Sequence, residues 1–157
     1  MSSPEQEFLD LVSKLDKSEA VSTETVGSVY EKLESITDPA FLTKGTGRWR
    51  GHSLSYDHPG HQMLVSMKWA GKVFHSKDDV DPVMQFDEDG KWVLNETLGH
   101  AQLREMVWNG KNTLAMIYDS FPVIDYFRSV NSDTVMGVMD NKTLRDAGPY
   151  YFYLTRA

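Results

Sequence analysis

Apolar residues near the start of the chain recur at helical spacing. Ser3 and Gln6 match the two ends of a capping box, and Pro4 stands at the first helical position. The apolar residues that follow share one helical face, and a second series repeats the spacing: Phe8, Leu11, Val12 and Leu15, then Val26, Val29, Tyr30 and Leu33. Asp38-Pro39 should end the second helix, because the residue before a proline resists the helical conformation. The pattern predicts two amphipathic helices within residues 1–40.

After Lys44 the period of the apolar residues shortens to that of a strand. The turn signatures DEDG (Asp87–Gly90) and NGK (Asn109–Lys111) each stand between apolar runs, which predicts two hairpins. The pattern in residues 60–68 also fits a short helix, and that in residues 72–75 fits a strand. We therefore expect an antiparallel sheet of about five to seven strands in the C-terminal half of the chain.

Some of these strands are apolar on both faces. In residues 114–118 and 150–154 neither set of alternate positions is polar, so one face must meet the interior of the sheet and the other a second layer. The two predicted helices can pack against that outer face and cover it. The sequence therefore predicts an α+β fold, with two N-terminal helices packed outside a strongly curved antiparallel sheet or closed barrel.

Composition narrows the class of protein. At 157 residues the chain is expected to form one domain, 1–157, with a helical segment over 1–40 and a barrel over 44–157. It has no cysteine, no apolar run near the ~20 residues of a membrane span and no signal-peptide pattern, so we expect a cytoplasmic protein without a membrane partner. A net charge of -7, with Arg48 and Arg50 as the only close basic pair, argues against nucleic acid as a partner.

Several segments resemble a known family. GRWRG (Gly47–Gly51) resembles the signature of the GXWXG protein family, and WAGKVFHSKDDVDPV resembles the stretch that follows that signature. The remaining segments resemble the domain of unknown function that usually accompanies it: MIYDSFPVIDYFR, TVMGVMD and YYFYLTR. The resemblance covers roughly residues 24–157, and several blocks in the right order are more specific than one pentapeptide. It helps with the fold and implies no established activity.

A second resemblance concerns the Trp of the signature. Lipocalin-like barrels share a G-x-W at the start of the first strand and an Arg on the last strand that lies across that Trp, so Trp49 and Arg156 are expected to form this structural pair. Haem barrels of the nitrobindin type also carry G-x-W-x-G, which makes haem a cofactor to test. We otherwise expect no cofactor.

Ionisable side chains stand among apolar residues in MIYDSFPVIDYFR. A buried charge is costly unless it is paired, and Asp125 and Arg128 face opposite sides of a regular strand, so each needs a partner from a neighbouring strand. Lys72 and Asp140 are the candidate partners of these two residues, Lys72 for Asp125 in particular. The cluster is either a structural ion pair or the polar wall of an apolar cavity. In such a cavity Asp125 would act as a base, with Tyr118 or Lys72 holding an oxyanion.

Methionines and aromatic residues supply the rest of the expected site. Methionine adapts to irregular space, so its abundance fits either gap filling or a soft pocket for a hydrophobic ligand. The predicted ligand-binding residues are Met116, Phe127, Arg128, Met139, Tyr151 and Tyr153. We expect the barrel to bind a small hydrophobic or amphipathic molecule; the alternatives are a cofactor-independent isomerase, cyclase or dehydratase, and a scaffold without a ligand. The protein would be a monomer or a homodimer.

The histidines do not predict a metal site. They are dispersed along the chain, and the only close pair, His58 and His61, is separated by a proline and a glycine that are typical of a turn. We therefore expect both side chains to lie in an exposed loop. No pattern of a metal hydrolase, a serine hydrolase or a nucleotide-binding loop is present.

Overall fold

Strands dominate the computed structural model, which describes residues 2–157. The helices are α1 (Pro4–Asp16), α2 (Thr23–Glu31), α3 (Ala40–Thr43) and α4 (Pro59–Ser66), with a 3-10 helix at Lys142–Ala147. The strands are β1 (Glu34–Ser35), β2 (Arg48–Ser53), β3 (Trp69–Ser76), β4 (Asp79–Phe86), β5 (Trp92–Leu94), β6 (Ala101–Trp108), β7 (Lys111–Tyr118), β8 (Val123–Asn131), β9 (Thr134–Asn141) and β10 (Tyr150–Arg156). The turns at DEDG and NGK join β4 to β5 and β6 to β7, which confirms both predicted hairpins.

The long strands pair in a ring. Their order is β8, β7, β6, β4, β3, β2, β10 and β9, and β9 pairs with β8 again, so the series returns to its start. All these pairs are antiparallel, and the ring is uneven because β4 and β6 share only the pair Val80–Ala101. The short strands β1 and β5 pair with β8 and β4. The expected α+β fold with a large antiparallel sheet in a barrel-like ring is therefore confirmed.

The helices α1 and α2 cover one outer side of this ring. Ser3 and Ser22 cap them, each accepting a hydrogen bond from a backbone N–H three residues later at 3.1 Å. Phe8 on α1 and Val26 on α2 belong to one buried cluster with outward residues of β8, β9 and β10. The second helix is shorter than predicted: α2 ends at Glu31, β1 follows, and Pro39 precedes α3 instead of ending α2.

The two glycines of GRWRG occupy positions where a side chain does not fit. Gly47 has φ +67°, and a Cβ there would collide with the carbonyl oxygen of Phe74. A Cβ on Gly51 would collide with the indole of Trp69. Between them Trp49 is fully buried, and its indole N–H donates to the Leu42 carbonyl at 2.9 Å. The signature is thus explained by close packing around an inward tryptophan.

The predicted contact between Arg156 and Trp49 is present. The guanidinium carbon of Arg156 lies 4.3 Å from the centre of the Trp49 ring, and its Nη2 donates to the carbonyl of Phe41 at 2.9 Å. The ring of Phe41 stacks on Trp49 from α3 with 6.3 Å between the ring centres. This group joins the first strand of the ring to the last strand of the chain and supports a structural role for both residues.

Candidate functional site

A cavity of about 280 Å³ lies against the inner residues of the ring. Strands β3, β8 and β10 supply its deep wall, α4 and the 3-10 helix flank it, and Met63 and Phe121 on its wall are 52% and 38% exposed. Its apolar residues are Met63, Leu64, Met67, Trp69, Val83, Leu98, Phe121, Val123, Met139, Leu144 and Phe152. An apolar hollow with a small set of polar groups is the usual construction of a small-molecule site.

Larger hollows occur on the outer surface. One of them, of about 560 Å³, lies between residues 15–26 and residues 54–58, which lead into α4. Its wall is more polar than apolar and it does not contain the buried Lys72 and Asp125. The smaller inner cavity is therefore the better candidate, since it combines an apolar wall with buried ionisable groups.

A buried ion pair crosses the interior of the ring at this cavity. Asp125 on β8 and Lys72 on β3 are 2% and 3% exposed, and Lys72 Nζ lies 3.2 Å from Asp125 Oδ2. Lys72 Nζ also donates to the carbonyl of Pro82 at 2.9 Å. Because β3 and β8 are not neighbours in the sheet, the pair spans the interior. The predicted pairing of Asp125 with Lys72 is present, but Lys72 comes from a strand across the ring and not from a neighbouring strand as expected.

The second carboxylate oxygen of Asp125 has no protein partner. Oδ1 is buried, and no group within residues 2–157 donates a hydrogen bond to it. Buried polar atoms are nearly always hydrogen-bonded, so an unpartnered carboxylate oxygen in a cavity wall calls for an explanation. Tyr118, which also lines the cavity, makes no side-chain hydrogen bond to Asp125 or Lys72. Neither Asp125 Oδ1 nor the Tyr118 hydroxyl is hydrogen-bonded to another side chain of the described residues.

Burial shifts the protonation equilibria of these groups. It raises the pKa of Asp125 and lowers the pKa of Lys72, and in each case the attraction between the two partners opposes the shift. Burial also raises the pKa of Tyr118 well above its usual range, and the negative charge of Asp125 raises it further. Tyr118 is therefore a neutral hydrogen-bond donor at physiological pH, next to a carboxylate that accepts protons more readily than an exposed one.

The structure brings together part of the predicted site. Asp125, Lys72, Tyr118 and Met139 all line the cavity. Met116 and Phe127 point into the same core but do not reach the cavity wall. The prediction missed Tyr150, whose ring lines the cavity beside these groups. Its place on the apolar strand YYFYLTR gave no sign of a polar role.

The other three predicted ligand residues lie on the outside of the ring and do not line the cavity. Arg128, Tyr151 and Tyr153 face the N-terminal helices, because each is displaced by an odd number of positions from the inward Asp125 or Phe152. Tyr151 hydroxyl lies against Gly27 of α2. Tyr153 packs edge-on against Phe8 of α1 at 5.2 Å between ring centres.

Arg128 has a different partner from the one expected. Its Nη2 lies 3.2 Å from Glu31 Oε2, and its guanidinium carbon is 4.4 Å from the ring centre of Tyr30, both at α2. Asp140, the other candidate partner, pairs with Arg145 at 3.1 Å instead. The side chain of Arg128 is fully buried, so it ties the helix layer to the sheet.

The histidines His58 and His61 are not exposed loop residues as predicted. His58 is buried and forms the N-cap of α4, where its Nδ1 accepts from the N–H of Gly60 at 2.9 Å. His61 lies within α4 and is hydrogen-bonded through Nδ1 to Ser53 Oγ at 2.8 Å. The proline and glycine between them begin a helix, because proline fits its first turn.

The cavity does not suit a haem, and a separate surface cluster contains metal-type ligands. No histidine of the described chain lines the wall, so the cavity offers no imidazole ligand for a haem iron. Elsewhere, Asp79, Asp81 and His100 place one potential ligand atom each within 4.8 Å of one another. Both carboxylate oxygens of Asp81 are hydrogen-bonded, one to His75 and the other to His100. These hydrogen bonds on the surface explain why the side chains lie together.

Taken together, fold and site define a sheet-rich α+β protein with an apolar cavity inside a barrel-like ring. Residues 28–90 match the family model described as GXWXG protein, and residues 99–156 match the domain of unknown function (DUF4334). The chain belongs to the GXWXG family and carries its companion C-terminal domain, as the resemblance implied.

Solved structures contain a protein of the same fold. The crystal structure of a protein from Thermomonospora curvata is 36% identical to this chain, with 99% of each chain covered and a TM-score of 0.86. No curated protein shows significant similarity to the chain. Among residues 2–157, no helix has both the length and the apolar character that crossing a membrane requires.

Proposed function

We propose that the protein binds a small, largely apolar molecule in the cavity, in the manner of a lipocalin-like binding protein. The observation that carries this proposal is the unpartnered Oδ1 of Asp125 beside a largely apolar cavity. A ligand hydroxyl that donates to this oxygen would remove an unsatisfied buried acceptor, and the same hydroxyl could accept from Tyr118. The cytoplasmic location expected from the sequence is part of this proposal.

The cavity also limits the charge and size of the ligand. Lys72 already balances Asp125, so a charged ligand would lose its hydration without finding an unpaired opposite charge. The cavity volume of about 280 Å³ lies at the lower end of the roughly 300–1,000 Å³ that is typical of ligand pockets, which favours a compact ligand. We therefore propose a neutral alcohol, phenol or enol on a compact hydrocarbon frame.

Methionine methyl groups provide a direct test of binding in the cavity. Met63, Met67 and Met139 line it, whereas Met84 and Met136 lie outside it. In protein labelled with ¹³C at the methionine methyls, a titration with 4-tert-butylphenol should shift the first three signals and leave the other two in place. Shifts spread over all the methionines, or none at saturation, would contradict a site in this cavity.

A matched pair of variants controls for non-specific adsorption. Leu98 is on the cavity wall in a loop that follows β5, so Leu98→Trp should fill the hollow and abolish the shifts. Val107 is 60% exposed and is not part of the wall, so Val107→Trp adds the same bulk elsewhere and should leave the titration unchanged. Equal loss in both variants would point to a surface effect.

The second candidate function is a cofactor-independent isomerase, cyclase or dehydratase. The observation that favours it is the raised pKa of Asp125 beside the neutral hydroxyl of Tyr118, a base and a donor on one wall. Asp125 would remove a proton next to a carbonyl group, and Tyr118 would stabilise the oxyanion that develops.

A probe ketone tests this reaction class without knowledge of the substrate. In D₂O the protein should accelerate exchange of the acidic protons of 2-tetralone, followed by proton NMR, and Tyr118→Phe should lower the rate while the melting temperature stays close to that of the wild type. Asp125→Asn should abolish the acceleration. An exchange rate equal to that in buffer would leave the cavity as a binding site and contradict catalysis of this kind.

A further inference from the structure

A chain of hydrogen bonds leads from the cavity to a groove on the surface. Tyr150 on β10 is buried and lines the cavity, and its hydroxyl is hydrogen-bonded to Ser53 Oγ at the end of β2. Ser53 Oγ is in turn 2.8 Å from Nδ1 of His61 on α4. Each of these groups can both donate and accept a proton.

The outer end of this chain reaches solvent. His61 lines a groove on the outer surface that is separate from the cavity, and neither Tyr150 nor Asp125 borders that groove. Its Nε2 has no hydrogen-bond partner within residues 2–157 and is not among their buried unsatisfied atoms, so it is accessible to water. The three side chains therefore connect the cavity wall to the solvent in that groove.

The fold brings the three groups together. Ser53 and Phe152 are paired positions of β2 and β10, which places the serine hydroxyl near the side chain of Tyr150, two residues before Phe152. The N-cap of α4 at His58 fixes the first turn of that helix, with His58 Nε2 hydrogen-bonded to the carbonyl of Gly148 at 2.9 Å. His61 follows in that turn and is held over Ser53.

We propose that Tyr150, Ser53 and His61 form a proton relay between solvent and the cavity, with Tyr150 as a catalytic acid. Water gives a proton to His61 Nε2, the Nδ1 proton passes to Ser53, the Ser53 proton passes to Tyr150, and the Tyr150 proton passes to a group in the cavity. Each transfer breaks one bond to hydrogen and forms another, so one proton moves from solvent to the cavity.

The catalytic use of the relay rests on the acid–base reaction proposed for the cavity. Asp125 would take a proton from the substrate while Tyr150 gives one at another position, and the relay would restore the proton of Tyr150. Asp125 would return its proton to water that enters the cavity after the product leaves. The existence of the relay does not depend on any ligand, so it can be tested in the free protein.

Exchange of the Tyr150 hydroxyl proton measures the relay directly. In protein labelled with ¹³C at tyrosine Cζ, the isotope shift caused by deuterium on the hydroxyl reports its rate of exchange with D₂O, and Tyr150→Phe assigns the signal. We expect His61→Gln and Ser53→Ala each to slow this exchange by about 10²-fold, the lower end of what a positioned acid or base contributes.

Internal controls separate the relay from other routes of exchange. The buried hydroxyl of Tyr30 donates to the carbonyl of Tyr126 at 3.0 Å and should keep its rate in both variants, which excludes general opening of the fold. His52 is hydrogen-bonded to Thr155 on the outer face, so His52→Gln should not slow exchange at Tyr150.

Two outcomes would overturn the relay. A Tyr150 rate that is unchanged in both His61→Gln and Ser53→Ala would mean that its proton exchanges directly through the cavity mouth. A rate lowered equally by His52→Gln would mean that any change on this surface has the same effect. A failed binding titration with 4-tert-butylphenol would contradict the proposed function and leave this result intact, so the two proposals fail separately.

Discussion

Removal of Lys72 tests how the buried ion pair is balanced. In Lys72→Met the side-chain volume is nearly kept, but the carboxylate of Asp125 remains buried without its cation. Removing one partner of a buried pair costs about 3–5 kcal/mol, because the remaining charge has lost both water and its counter-ion. In urea unfolding at pH 7, this loss should lower the urea concentration at the midpoint. The slope of the free energy of unfolding against urea concentration should stay the same.

The double variant distinguishes a lost charge from a lost contact. Lys72→Met combined with Asp125→Leu leaves no charge in the interior, and replacing a buried pair by apolar residues of similar volume is often neutral or stabilising. We expect the double variant to be more stable than Lys72→Met alone. The stability losses of the two single variants should add up to more than the loss measured for the double variant. Additive losses would refute the inference that the two charges depend on each other.

The stability of Lys72→Met should also depend on pH in a defined direction. Burial raises the pKa of Asp125 in the folded protein above its unfolded value of about 3.9, and removal of Lys72 takes away the partner that opposes this rise. A carboxyl group with a raised folded pKa stabilises the fold fully below the unfolded pKa and loses that contribution as the pH rises through the folded pKa. The deficit relative to wild type should therefore be smaller at pH 4 than at pH 7.

Three further predictions concern the fold. Gly47→Ala should lower the stability of the fold by several kcal/mol, because the new Cβ would meet the Phe74 carbonyl. Gly45→Ala, at φ +68° in open space, should cost only the ~1–2 kcal/mol of a residue in the left-handed conformation. Equal losses of stability in thermal melting would contradict the packing argument. Arg156→Met should cost about 0.5–2 kcal/mol for the lost contact with Trp49, and no change in the urea midpoint would count against that contact. Phe8→Ala should cost about 3–5 kcal/mol, and a loss below 1 kcal/mol would show that α1 adds little to the fold.

The sequence predicted where helices and hairpins lie better than it predicted which face of each strand points into the ring. Periodicity and caps located α1 and α2, and turn residues located two hairpins, because these signals are local. The strands after residue 110 are apolar on both sides, so alternation does not show which side is inner. For that reason Tyr151 and Tyr153 were placed in the cavity, although they face the helices.

The candidate site depended on contacts between distant parts of the chain. The pairing of Asp125 with Lys72 followed from the cost of burying a charge, which holds whatever the topology. The link from Tyr150 through Ser53 to His61 joins β10, β2 and α4, and neither spacing nor residue type within any one segment indicates it. His58 and His61 were misread because Pro59-Gly60 fits a turn as well as the first turn of a helix.

In the proposed complex, a neutral ligand in the cavity donates a hydrogen bond to Asp125 Oδ1. Isothermal titration calorimetry with 4-tert-butylphenol and its methyl ether, 4-tert-butylanisole, tests it, because the two molecules differ in the one proton that would be donated. A hydrogen bond to a charged group contributes about 1.5–3 kcal/mol, so we predict that the phenol binds roughly 10- to 150-fold more tightly than the ether. Equal affinities, or no heat from either compound, would contradict the claim.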